Sequence, residues 1–240
     1  MNPEALRQHQ EYQTRHKCSR YRASHGNVTW GGKTVRGCNP ANFTILAPDW
    51  GKDSRYVYYC GMRIRDADPA TFGMLNLIYG GDANAVFTQF GKFKLADRAS
   101  FRVLDDGGFA DAREMFWLKG YAADKNAVYF HEATYKPRAV RKADPASFLA
   151  LGSTYATDNQ GAFFEGYRLP GADPATFEVL DSYFARDRSR VYTHRAPILN
   201  TDYATWEVVD PTENLSRDRY GYFVGVLRVP NRPEKFWGVL

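Results

Sequence analysis

The chain has 240 residues, with 32 Lys and Arg against 27 Asp and Glu, a net charge of +5 and 15% aromatic residues. A hydrophobic content of 44% together with 16 Phe, 16 Tyr and 5 Trp excludes a disordered chain, because stiff rings fill even a thin core. No stretch approaches the ~20 apolar residues of a membrane span, and the mild positive charge is spread rather than gathered in the runs of a nucleic-acid binder.

The opening segment, MNPEALRQHQEYQTRHKCSR, is polar and lacks the apolar core of a secretory signal. It predicts a short helix from Pro3 to about His16 within an N-terminal helical segment, residues 1–20. The expected compartment is the cytoplasm, or the periplasm if a leader precedes these residues. Cys18, Cys38 and Cys60 are an odd set that a reducing compartment tolerates, with a Cys18–Cys38 disulfide as the alternative in an exported protein. His16 beside these cysteines has neither CxxC nor HxxxH spacing, so no metal is expected, and no motif implies a cofactor.

From residue 21 the sequence repeats. An aromatic anchor falls at Phe43, Phe72, Phe101, Phe148, Phe177, Trp206 and Phe236, mostly 29 residues apart. Upstream of it stands an Asp with an apolar residue four places on and an aromatic at five: Asp53 with Tyr58, Asp82 with Phe87, Asp124 with Tyr129, Asp158 with Phe163, Asp187 with Tyr192 and Asp218 with Phe223. Asp111 with Phe116 is a further copy of this half alone, which accounts for the one long interval of 47. An aromatic three places before the Asp opens a strand, the Asp turns the chain by accepting from nearby backbone N–H groups, and a VYY-like run returns as a second strand.

The second half of each unit is the segment DADPATF (66–72), KADPASF (142–148) or GADPATF (171–177). Asp68, Asp144 and Asp173 are read as N-caps, followed by Pro at the first helical position. Phe and a Leu three residues on predict an apolar face on about two helical turns. Such helices do not persist alone, so each unit must bury that face against its neighbours. The expected fold is α+β: tandem ~29-residue repeats over 21–240, each an antiparallel hairpin plus a one-to-two-turn helix. They are expected to stack into a solenoid-like or elongated single domain with an irregular insertion at about 105–142.

The segments YAADKNAVYF (121–130) with KADPASF, and YATDNQGAFFEGYRLPGADPATFEVLD (155–181), resemble the DKNYY family of bacterial repeat proteins, over roughly residues 21 to 240. The resemblance implies a Gram-negative source and, frequently, a lipoprotein or envelope protein, and it carries over no catalytic residues. The residues before Cys18 are TRHK rather than the small apolar run of a lipobox, a departure from the envelope pattern.

The expected function is a non-catalytic protein-binding repeat protein, an immunity protein that occludes a cognate bacterial toxin with an acidic surface. The alternatives are an envelope or scaffold protein, or a hydrolase using carboxylates of the 105–142 region. The partner surface is expected where periodicity fails, at Asp111, Glu114, Trp117, Lys119, His131, Glu132, Arg138, Arg141 and Lys142. A second candidate is the basic bend after each hairpin, with Arg63 and Lys92 foremost and Arg36, Arg65, Lys94, Arg168 and Arg228 in register. Adjacent His131 and Glu132 should face opposite sides of a strand, so the pair does not converge as an acid–base site.

Overall fold

A computed structural model describes residues 2–15, 20–24, 26–111, 115–132, 134–152 and 154–233, with the side chains of 5 and 13–15 outside the description. One α-helix, α1 (Pro3–Arg15), matches the expected N-terminal helix. Strands hold 41% of the residues and helices 7%, in many small antiparallel sheets. The α+β expectation of a hairpin plus a helix per repeat is therefore overturned.

The repeat is instead a four-stranded meander. In the sheet spanning 178–197, Glu178–Val179, Phe184–Arg186, Val191–Thr193 and Ala196–Pro197 pair in chain order, with Phe184 opposite Thr193 and Arg186 opposite Val191. Sheets at 44–64, 73–92, 149–168 and 207–229 follow the same order, and residues 21–34 form a three-stranded version. The sheet at 102–139 encloses the half repeat, which forms a two-stranded ribbon of Phe109–Ala110 and Phe116–Trp117 between its first and second strands.

The cap chemistry read from DPAT is present, but only one turn of it. Asp68 accepts from the Ala70 N–H at 3.0 Å and the Thr71 hydroxyl at 2.8 Å, and Asp173 does the same with Ala175 and Thr176. The residues that would supply a second helical turn leave as an edge strand: Glu178 pairs with Arg186 and Val179 with Ala185. A single closed turn captures little of the propagation that repays helix nucleation, whereas the strand gains a ready-made partner at once. The i, i+3 spacing of Phe177 and Leu180 thus marks a turn and a strand corner, not a helix face.

Two cross-links bind each such turn to the hairpin that follows. The anchor carboxylate accepts the N–H groups two and three residues on with one oxygen, and with the other the N–H of the DPAT Asp. For Asp158 these are Gln160 (2.8 Å), Gly161 (2.8 Å) and Asp144 (2.9 Å). Asp53, Asp82, Asp124 and Asp187 repeat the triplet, the DPAT position being Asn39 for Asp53 and Asp97 for Asp124. The Thr or Ser hydroxyl of the motif accepts the N–H directly after the anchor Asp, as at Thr71, Ser100, Ser147, Thr176 and Thr205, each at 3.1 Å.

The motif aromatic then joins consecutive sheets. Phe72 lies 5.7 Å from Trp50 of one sheet and 5.8 Å from Phe87 of the next, and Phe43, Phe101 and Phe177 bridge Tyr21 to Tyr58, Tyr79 to Tyr129, and Tyr155 to Tyr192. The ring needs room on the strand beneath: a Cβ on Gly80 would stand 2.3 Å from Phe72 Cζ, and one on Gly51 2.4 Å from Phe43 Cζ. Aromatics three before and five after the anchors are buried as the spacing requires, among them Trp50, Tyr121, Tyr129, Phe163, Tyr192 and Phe223.

The chain divides into two compact units, one of residues 1–109 and 116–139 and the other of 110–115 and 140–240. The first contains α1 and the sheets up to 139; the second contains the three sheets from 149 onward. Within the first unit α1 stacks His9 on Phe116 (4.9 Å, 9°) and bonds Asn2 to Asp106 at 3.0 Å. Among the described residues no helix is long and apolar enough to cross a membrane.

Candidate functional site

The most ionisable residues of the repeat are absorbed by the fold. At Asp53, Asp124 and Asp187 burial alone would raise the carboxyl, but the backbone donors outweigh it. All three are held below the usual range, Asp187 at about 2. Tyr58, Tyr129 and Tyr192, five places on, add a hydroxyl donor at 3.0, 2.8 and 2.8 Å. Where that residue is Phe223, Arg228 takes over, donating to both oxygens of Asp218 at 2.8 Å and holding that carboxyl at about 2.

The residues expected to bind a partner occupy several different settings. Asp111 is buried in the turn of the ribbon, accepting from the Met115 N–H at 3.0 Å and the Tyr183 hydroxyl at 2.8 Å. Glu114 lies outside the described residues. Trp117 is 45% exposed, with the Lys119 ammonium 5.4 Å from its ring and 5.3 Å from that of Phe109. Glu132 is half-buried on the strand Val128–Glu132, and Arg138 lies 5.2 Å over Phe130. Arg141 and Lys142 are exposed and belong to the second unit, whereas Arg138 belongs to the first. Arg63 is exposed, its guanidinium 3.8 Å over the Tyr56 ring and bonded to the Gly37 carbonyl at 3.4 Å, and Lys92 is exposed at the equivalent strand position. Of the cysteines, Cys38 donates to the Val35 carbonyl at 3.2 Å, while Cys18 and His16 lie outside the described residues.

His131 is not a surface residue. It is fully buried, 5.3 Å from the Tyr79 ring and 6.2 Å from Phe90, and neither ring nitrogen has a hydrogen-bond partner; the Tyr79 hydroxyl, also fully buried, has none either. Burial holds the imidazole at about 4, and His9 behaves likewise at about 4. Asp105 clamps the point where the ribbon leaves and re-enters its sheet, accepting from Gly107 at 2.8 Å and Tyr121 at 2.6 Å. Burial pushes its carboxyl up to about 7 against those two donors.

The signs of these shifts give an expected pH response. A histidine whose folded value is depressed contributes stability above its ordinary value, 6.5, and loses it as the pH falls toward 4. Asp105, raised from 3.8 to about 7, opposes this by favouring the fold as it takes up its proton over the same range. His131→Phe removes one of the two acid-labile histidines and two unpartnered nitrogens, and should flatten the loss of stability below pH 6.5 by up to about 3 kcal/mol. Urea midpoints at pH 7.5 and 4.5 that fall equally in parent and variant would refute this assignment.

The geometry defines an array of small antiparallel sheets in which an Asp-centred hairpin and a DPAT turn are locked together. A profile of the DKNYY family matches residues 50–196, more than half of the chain, and the chain belongs to that family. No curated protein and no solved structure matches it.

Proposed function

We propose that this DKNYY-family chain is a partner-binding protein, and that it neutralises a cognate bacterial toxin by covering it. The observation that carries the reading is the division of labour among side chains. The anchor carboxylates are occupied by their own backbone, while Met62, Trp117, Tyr135 and Leu227 stand 45–69% exposed. Large apolar side chains held in solvent on β-strands suit a recognition surface.

The test is affinity capture from the native host followed by reconstitution with the purified partner. A stoichiometric complex in which the partner loses its toxic activity is the expected result. Multiple turnover of any substrate by the purified chain, abolished by Asp111→Asn without loss of fold, would put an enzyme in its place.

A further inference from the structure

The two units differ in charge. The first carries 19 Lys and Arg against 12 Asp and Glu, a net +7, and the second 13 against 15, a net −2. The excess in the first unit is concentrated on the last strand of each sheet and the bend after it: Lys33 and Arg36, Arg63 and Arg65, Lys92 and Lys94. The segments 33–36, 62–65 and 91–94 contain no acidic residue.

Alternation explains how these cations reach solvent together. Arg63 and Arg65 flank Ile64, and Lys92 and Lys94 flank Phe93; Val35, Ile64 and Phe93 are buried, and all six cations are exposed. The buried members pack toward the following hairpins: Val35 shares a core with Tyr58, Ile64 with Phe87, and Phe93 stands 4.9 Å from Tyr129. Arg63 abuts Gly37, the residue after Arg36, so the cations of the first two sheets adjoin. None of the six forms an ion pair with a described residue. In the second unit, by contrast, Arg186, Arg188, Arg195, Arg217, Arg219 and Arg228 each pair with a carboxylate.

We infer that the last-strand ladder of the first unit docks an acidic protein surface; this rests on the partner-binding reading above. Unpaired cations on edge strands attract carboxylates and set the register of a partner. The ladder also carries Met62 (66% exposed) and Leu95 (61%), aliphatic side chains that bury against protein rather than stack on nucleobases.

The test uses the full chain and two labelled probes at low salt, a peptide alternating Glu and Leu and an oligodeoxythymidine of equal charge. Arg36→Glu, Arg65→Glu, Lys92→Glu and Lys94→Glu together should weaken peptide binding about 30-fold or more. Matched reversals in the second unit, Arg141, Lys142, Arg186 and Arg217 to Glu, should change it less than about 3-fold. Circular dichroism checks both folds, and Gln at the same four ladder positions serves if the Glu variant does not fold. Absence of saturable peptide binding by the parent, equal loss in the two sets, or tighter binding of the oligonucleotide would each overturn the inference. A host partner that binds parent and ladder variant alike would remove the ladder and leave the partner-binding reading standing.

Discussion

Asp124→Ala is expected to cost at least about 4 kcal/mol and to lower the urea midpoint accordingly, because four donors lose one acceptor group together. Its carboxylate accepts from Asn126 (2.7 Å), Ala127 (3.0 Å), Asp97 (2.7 Å) and the Tyr129 hydroxyl (2.8 Å). A buried donor left without a partner costs roughly 1–3 kcal/mol; the Tyr129 side chain is 2% exposed and Asp97 and Ala127 are half-buried, while exposed Asn126 can turn to water. Asp124→Asn keeps the shape but exchanges one acceptor for an amide, so it should fall between parent and Ala. Asp158→Ala, which frees three donors and no tyrosine, should be milder. A loss below ~1 kcal/mol at Asp124 would show that the clamp is incidental to stability.

Phe72→Ala is expected to cost ~3–5 kcal/mol. The ring is 3% exposed, touches Trp50 and Phe87 in different sheets, and covers Gly80, so its removal opens a cavity where two sheets meet. The variant should also lose cooperativity, the sheet at 44–64 melting more independently of the sheet at 73–92, because Phe72 is the ring that touches aromatics of both. Calorimetry reads both effects. A single transition with an unchanged midpoint would remove Phe72 as the joint.

Much of this architecture was legible from residues alone, and the errors have physical causes. The hairpins centred on Asp53 to Asp218 follow from β-branched and aromatic runs around an Asp turn, and the helix Pro3–Arg15 from its polar, uninterrupted composition. The first and last strands of most sheets were not legible, since strands of two or three residues are too short to show alternation. DPAT misled because N-cap chemistry is shared by a helix and by a single closed turn. A signal that could have decided the matter is the small residue two places before each anchor Asp: Gly51, Gly80, Ala122, Ala156, Ala185 and Ser216. A ring lying on that strand excludes a larger side chain there.

The candidate surface was only half visible. Spacing makes Arg63 and Arg228 equivalent, yet Arg63 lies on a tyrosine ring and Arg228 neutralises Asp218. The charge difference between the units cannot be read along the chain, because the first unit is interrupted by residues 110–115 of the second. His131 was expected on the partner surface, but strand alternation sends it inward, where it is fully buried.

The ribbon at 109–117 shows where this array can accept foreign sequence. The clamp from the DPAT turn to its anchor spans 14 residues at Asp82, Asp158 and Asp187, but 27 at Asp124, where the ribbon intervenes, and its bond is 2.7 Å all the same. Lengthening a closed loop adds chain entropy only logarithmically, about 0.6 kcal/mol per doubling. Asp105 holds the two ends of the excursion, and Asn76 and Asp181 occupy the same corner in other sheets, each accepting two backbone N–H groups. These corners are natural grafting points: a lineage, or an engineer, can splice a recognition hairpin there without disturbing the register of the sheets on either side.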